Sequence, residues 1–184
     1  MIATLLALAL AAPPEGRAFM VDPAASTLRY RIVHKLHAVE ATSRRIEGKA
    51  VVQPDGRVLA MVRAPIVSFD SGESNRDANM QETLDAGAHP YVVVKATGRD
   101  ATLAAGGAPA RTLALEGELD LHGVKRPLSV PIQLERRPDG TLRVRASFDV
   151  SLEAHGIERP SLLFVKIEDR CHIEADLVLR EASP

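Results

Sequence analysis

After residue 27, apolar side chains recur at every second position. Leu113, Leu115, Leu119 and Leu121 alternate with Thr112, Ala114, Glu116, Glu118 and Asp120. The same alternation carries Leu128, Val130, Ile132 and Leu134, then Leu142, Val144, Ala146, Phe148 and Val150, then Ile173, Ala175, Leu177 and Leu179. Successive side chains of a strand point to opposite faces, so each segment has one apolar face and one wet face, as half-buried antiparallel strands do. Four earlier segments, Leu28–His34, Ile46–Gln53, Val58–Val67 and Tyr91–Gly98, are apolar but alternate less cleanly. The pattern predicts an all-β chain of about eight strands. Pro131 stands on the polar side of its strand, lacks a ladder donor, and predicts a bulge there.

The connections sort into two kinds. Pro54-Asp55-Gly56 and Pro138-Asp139-Gly140 are tight-turn signals, and Gly106-Gly107-Ala108-Pro109 reads as a loose loop. If the strands run up and down in chain order, these three share one end. The other end then receives His37–Arg45, the insert 68–90, His122-Gly123 and His155–Pro160. In the insert, Asn75, Met80 and Leu84 recur at helical spacing, with Ser74 placed as N-cap, Asp77 in the first turn and Gly87 as the stop. A loop of that length in a compact domain is usually functional. The expectation is one short helix, around residues 74–86, lying across the mouth of a closed barrel. His122-Gly123-Val124-Lys125-Arg126-Pro127 is echoed by His155-Gly156-Ile157-Glu158-Arg159-Pro160. The two copies mark hairpins of similar turn chemistry, not a repeat architecture.

Composition narrows the function. A chain of 184 residues is one domain by prior. Its net charge of -1 gives no basic stripe, so no nucleic-acid partner is expected. Aromatics are only 3% and Trp is absent, so any cavity must be lined by aliphatic side chains. Residues 1–12, MIATLLALALAA, are too short to span a bilayer and resemble the apolar core of a signal peptide, with Ala9 and Ala11 spaced as at a cleavage site. No Lys or Arg follows Met1 within the run, so its charged leading region is atypical. The expectation is a periplasmic or secreted protein that does not span the membrane. Cys171 is the single cysteine, so no internal disulfide forms.

Three stretches, "SFDSGESNRDANMQETLDAGAHPYVVVKATG", "GELDLHGVKRPLSVPIQL" and "FDVSLEAHGIERP", resemble the YceI-like family of bacterial, mostly periplasmic, lipocalin-like proteins. The resemblance covers residues 20–180. Its specificity lies in the order: an Asn-Arg-Asp helix start, a Pro-aromatic strand entry, then Leu-x-Leu-His-Gly-Val-x-x-Pro. It implies an eight-stranded antiparallel lipocalin-like barrel with a helix at the opening. It also implies an apolar tunnel for an isoprenoid-type lipid, either a polyprenyl phosphate or an isoprenoid quinone. Asn75, Arg76 and Asp77 match the family's helix motif, and His122, Gly123 and Val124 match its hairpin. Two positions depart from the pattern: Asn79 stands where the family usually has His, and His155 where it usually has an aromatic residue.

The inward candidates for the tunnel are Leu113, Leu115, Leu119, Leu128, Val130, Ile132, Val144 and Phe148, with Met80 and Leu84 plugging the opening. Asn75, Arg76 and Asp77 either grip a headgroup or dock the helix, Asp77 as its cap and Arg76 as its pin. Five histidines, His34, His37, His89, His122 and His155, collect at the unusual end in a meander. Imidazole clusters bind Zn²⁺ or Cu²⁺, but His34 and His37 on one strand would face opposite ways, and no metal site is assigned. There is no Gly-x-Ser-x-Gly elbow and no phosphate loop, and Cys171 and His172 point apart on a strand. The sequence therefore predicts neither a catalytic residue nor a cofactor. The alternatives are a periplasmic stress or interaction protein with a filled core, and a histidine-based metal module. A homodimer is compatible with barrel ends that expose Leu or Ile, though the pattern names no interface.

Overall fold

The alternating segments are strands, and they pair in chain order. A computed structural model describes residues 16–34, 37–104, 110–159, 161–162 and 165–182; the expected signal segment 1–12 and the loop 106–109 lie outside them. The strands are β1 (Arg17–Val21), β2 (Thr27–His34), β3 (His37–Ser43), β4 (Glu47–Val52), β5 (Arg57–Pro65), β6 (Tyr91–Arg99), β7 (Arg111–Leu121), β8 (Val124–Arg136), β9 (Leu142–Ser151), β10 (Ser161–Leu162), β11 (Val165–Lys166) and β12 (Arg170–Glu181). β10 and β11 form a separate small ribbon, and every other strand belongs to one antiparallel sheet.

That sheet closes on itself. β12 pairs with β9 along one edge; along the other it pairs with β2 through Cys171–Asp176 and with β1 through Leu179–Glu181. β1 continues to β4, and β2 to β3. β1 and β2 are thus two halves of one barrel position, as are β3 and β4, and the ring holds eight positions. Closure removes the sheet edges that would otherwise invite aggregation. Between β1 and β2, residues 22–26 face only 177–178 of β12. The excess chain turns through Pro23–Ala25, held by the Asp22 carboxylate, which accepts the Ala24 N–H at 3.1 Å. The fully buried Ser26 hydroxyl donates to the Asp22 carbonyl at 2.7 Å and accepts the Val178 N–H at 2.9 Å.

Three expectations change. His37–Arg45 is not simply a connection, since it contains β3; its inward residues Val39, Ala41 and Ser43 are too small or polar for the alternation to stand out. β1 was hidden in the same way by its shortness. Pro131 makes no bulge: the β7–β8 register runs unbroken from Arg111↔Leu134 to Leu121↔Val124. Instead β8 pairs with β9 only through Ile132–Arg136, and the ladder stops beside Pro131, with Pro127 in the unpaired half. A residue without an N–H is tolerated where a ladder ends.

The two ends differ as the turn chemistry implies. The Gln53–Gly56 turn packs beside the start of a short helix, α2 (Ala101–Ala104), with the Asp100 N–H donating to the Gly56 carbonyl at 2.6 Å. The opposite end carries the insert, the 3-10 turn Glu153–His155 and a two-residue β7–β8 hairpin. Both hairpin residues are left-handed, His122 at φ 55° and Gly123 at φ 71°; this mirror-type turn matches the strand twist.

Candidate functional site

The inward faces enclose a cavity of about 420 Å³. Its wall is aliphatic: Leu113, Leu115, Leu119, Val130, Ile132, Val144 and Phe148 all border it, with Val58, Val62, Val94 and Leu177 from neighbouring strands. Leu128 packs against the clusters at both ends of the barrel but is not part of the cavity wall. The reason for the space is a belt of small residues in register. Ala50 faces Ala60, Ala60 faces Ala96, and Ala96 faces Gly117, across four neighbouring strands. Across β9 and β12, Ala146 faces Ala175. All five alanines border the cavity. Gly117 cannot be enlarged, since a Cβ there would lie 2.0 Å from the Lys95 carbonyl oxygen.

Below the belt the bore is stoppered. Phe19 is fully buried, and Leu103 of α2 is 3% exposed among Val52, Val58, Leu134 and Leu142. The stopper is tied by Asp100, which accepts the Leu103 N–H at 2.8 Å and the Arg111 Nε–H at 2.8 Å. Above the belt, Tyr30, Phe69, Leu119, Val150, Leu152, Ile157 and Cys171 form a second cluster. The Tyr30 and Phe69 rings meet at 5.5 Å. Burial, helped by Cys171 and Asp77, pushes the Tyr30 hydroxyl up to about 12, against the opposing pull of Arg76. Burial likewise pushes the Cys171 thiol up to about 12, with Asp149 adding to it.

The insert closes this upper end with α1 (Ser74–Thr83). Its position is fixed by the preceding segment: Asp70 exchanges two backbone hydrogen bonds with Thr42 of β3, and the Ser43 and Ser68 hydroxyls lie 2.7 Å apart. The expected capping differs. Glu73, not Ser74, is the N-cap, and its side chain makes no cap bond. Asp77 is no cap either; its carboxylate accepts the Ser71 N–H at 3.1 Å and so ties the entering loop to the helix. The helix stops before Gly87, at Asp85, which takes φ 44°. The Ala86 N–H then reaches the Gln81 carbonyl at 2.9 Å and the Asp85 N–H the Glu82 carbonyl at 3.0 Å, the paired closing bonds of a Schellman motif.

Arg76, Asn79, Met80, Thr83 and Leu84 border the cavity. Their spacing of three, four, seven and eight from Arg76 is one helical face, so Asn79 and Thr83 were findable from Arg76 and Met80. Asn75 falls on another face of the helix and does not border the cavity. Tyr30 was also missed, although Leu28, Tyr30 and Ile32 alternate with Arg29 and Arg31 and all three border the cavity. Among the described residues, the charged ones on the cavity wall are Arg76 and Lys49; Lys49 is exposed and lies on the outward parity of β4. Among the described residues, no Asp or Glu borders the cavity.

Beside the mouth, the His89 and His122 rings meet edge-on at 5.6 Å, and His122 Nδ1 lies 3.2 Å from the His155 carbonyl. His155 is 4% exposed, its Nδ1 donates to the Ser151 carbonyl at 2.9 Å, and its Nε2 has no partner among the described residues. The side chains of His34 and His37 lie outside the described part. Among the described residues, no group of three His, Cys, Asp or Glu side chains is placed to hold a metal. A Ser–His–Asp chain does exist elsewhere: Ser147 Oγ is 3.1 Å from His172 Nε2, and His172 Nδ1 is 2.7 Å from Asp149. It stands on the solvent face of β9 and β12, where the barrel cavity does not reach it. The exposed large apolar residues are Met20, Leu59 and Met61 on the barrel's side and Val67 near the mouth, so the described barrel ends do not expose Leu or Ile for pairing.

A family model described as YceI-like domain matches residues 19–179. Among solved structures, the chain is similar to a polyisoprenoid binding domain from Saccharophagus degradans implicated in plant cell wall breakdown. The TM-score is 0.75 at 16% identity, over 89% of this chain and 98% of that one. BcnA of Burkholderia cenocepacia is similar at TM-score 0.72 and 17% identity, over 86% and 98%. A Campylobacter jejuni YceI protein is similar at TM-score 0.61 and 11% identity, over 83% and 90%. At these identities the likeness speaks to fold. No curated protein matches the chain.

Proposed function

The chain belongs to the YceI-like domain family, and from that premise we propose that it binds an isoprenoid-type lipid in its bore, to sequester or ferry it. The observation that carries this reading is the apolar cavity of about 420 Å³, stoppered below and covered above by one helical face. Natural interiors contain few voids. At about 24 cal/mol per Å³, an empty space of this size costs on the order of 10 kcal/mol, against a net stability of about 5–15 kcal/mol for a typical domain. A flexible hydrocarbon relieves that cost and gains about 0.8 kcal/mol per buried carbon, offset in part by the ordering of the tail. The Saccharophagus degradans domain, described as polyisoprenoid-binding, supports a prenyl tail over other hydrocarbons. The apolar run of residues 1–12 supports export to the periplasm. No described helix is long and apolar enough to cross a membrane.

Binding of this kind needs no bond-making, and we propose that the protein is not an enzyme. The test is mass spectrometry of an organic extract of natively purified protein. A prenyl species near one-to-one stoichiometry is the expected result; an extract without lipid, from protein that also takes up none when offered, refutes the reading. Leu115→Glu and Ile132→Glu place a carboxylate on the wall and are expected to abolish uptake in protein that circular dichroism shows to be folded.

A further inference from the structure

The outer face of the barrel is not uniform. Across β9, β12, β2 and β3 it is an ionic network: Arg143 meets Asp176, His172 meets Asp149, Arg29 meets Glu174 and Arg31 meets Glu40. Across β1, β4, β5 and β6 it is apolar and basic. Strand register sets Met20 opposite Lys49, Lys49 opposite Met61 and Met61 opposite Lys95, so methionine and lysine alternate in one row around the wall. In the next row Ala18 faces Val51 and Val51 faces Leu59. Met20 is 46%, Leu59 47% and Met61 40% exposed. Apolar side chains scattered singly over a surface need no explanation, whereas a contiguous patch with a polar rim marks a contact site. The charge of this wall is one-sided too. β4, β5 and β6 carry Lys49, Arg57, Arg63, Lys95 and Arg99 against the single carboxylate Glu47. Glu47 pairs with Arg63, and Asp55 in the β4–β5 turn pairs with Arg57. Positive charge is therefore left over around Met61, and acidic side chains begin only on β7, where Glu118 faces Lys95 and pairs with Lys125. The chain as a whole carries -1, so this excess is local.

We propose that the wall formed by β1, β4, β5 and β6 docks the protein on an anionic lipid surface. Met20, Leu59 and Met61 enter the headgroup boundary, and Lys49 and Lys95 reach the lipid phosphates. A lysine suits that place because its stem lies along apolar surface while its ammonium stays at the charged layer. A second copy of the chain is a poorer occupant: a two-fold contact presents the same patch from both sides and sets cation against cation. A protein partner is poorer as well. Protein interfaces are enriched in aromatic residues and depleted in lysine, and here Lys49 stands between the two methionines. This inference goes beyond the bore and does not depend on what fills it.

The experiment is co-sedimentation of the full chain with vesicles of phosphatidylcholine, alone or with phosphatidylglycerol in equal parts. The wild type is expected to bind the anionic vesicles more tightly than the neutral ones, and added salt narrows the difference. Each cation near an anionic bilayer strengthens binding about fivefold, so Lys49→Gln with Lys95→Gln lowers the affinity about 10- to 30-fold. Leu59→Gln with Met61→Gln lowers it at every salt concentration. Arg29→Gln with Arg31→Gln removes two charges from the opposite wall and leaves binding unchanged. All six positions are exposed, so the variants keep the fold, which the melting temperature checks. A wild type that does not distinguish the two vesicles overturns the proposal. Equal losses in the lysine pair and the arginine pair overturn it, because binding then follows net charge and not this wall. Binding that neither the lysine pair nor the apolar pair diminishes belongs to another part of the chain, the apolar run 1–12 included, and overturns it as well. A dimer in sedimentation equilibrium that Leu59→Gln with Met61→Gln abolishes assigns the patch to a second copy and overturns the lipid surface.

Discussion

Replacing Ala146 by leucine separates a hollow barrel from a filled one by the sign of its effect. Ala146 sits in the small-residue belt, facing Ile132 on β8 and Ala175 on β12, and borders the cavity. In a hollow bore the added side chain extends into space. Each added carbon then gains about 0.8 kcal/mol, about 2.4 kcal/mol for leucine over alanine. Fixing its rotamer costs about 0.5–1 kcal/mol. The net is a stabilisation of about 1.5 kcal/mol in lipid-free protein. In a close-packed core the same change forces neighbours off their rotamers and costs about 1–3 kcal/mol.

The assay is urea unfolding of lipid-free and lipid-loaded protein, with the slope checked for constancy so that the midpoint reports stability. For a domain of this size, 1 kcal/mol moves the melting temperature by about 2–4 °C. The expected pattern is a higher midpoint when lipid-free, a smaller added stabilisation on loading, and less lipid bound per chain. A variant destabilised by more than 1 kcal/mol (a threshold of about half the packing penalty) with undiminished lipid uptake would refute the reasoning, because the wall position would then be solid.

Asp100→Ala breaks the tie on the lower stopper. Asp100 is 7% exposed and holds both the Leu103 N–H and Arg111, so the loss is about 3–5 kcal/mol, read as a lower urea midpoint. Alkaline stability is limited from inside the bore. The Tyr30 hydroxyl and the Cys171 thiol titrate in the fold at about 12, above their ordinary 10.0 and 9.0. The unfolded chain therefore ionises first, and stability present below pH 9 drains away between pH 9 and 12. Cys171→Val removes the thiol's share and flattens that limb of a melting-temperature profile. In acid, hydrogen bonds from Arg143 hold Asp176 below the usual 3.8 and those from Arg17 hold Glu181 below the usual 4.5. Their contribution is full above those values and is lost as pH falls through the depressed ones, so the profile stays level at neutral pH and drops below about pH 4.

Period-two alternation was enough to place most barrel positions and their inward faces, because one face of each strand is apolar and the other wet. It failed where inward residues are small or the strand short. β3 buries Val39, Ala41 and Ser43, and β1 spans only Arg17–Val21. The helix over the mouth was legible from Met80 and Leu84. Its capping was not, because Asp77 turned to the Ser71 amide and Asp85, not glycine, supplied the left-handed residue. Asn75 lies off the cavity face for a geometrical reason: the cavity-facing stripe runs through Arg76, Asn79, Met80 and Thr83, and a shift of one residue turns a helix by about 100°. Tyr30 joins the mouth only through long-range strand pairing, which no local pattern encodes.

The least legible property was also the decisive one. An eight-stranded barrel has an interior that side chains can just fill or that can hold one small ligand. Alternation says which residues point inward, and both outcomes share it. The choice between them depends on the volumes that meet at one level of the barrel, and that depends on register. Ala50, Ala60, Ala96 and Gly117 are unremarkable in four separate segments; aligned across β4, β5, β6 and β7 they leave a gap that larger residues at the same level would close. The bulky residues are displaced to the two ends, Phe19 and Leu103 below, Tyr30, Phe69 and Leu152 above. Such a division lets the fold draw its stability from two clusters, linked through Leu28, Val94, Leu128 and Phe148, while the middle stays open. Enlarging the bore's wall therefore need not weaken the barrel, and weakening either end need not empty the bore.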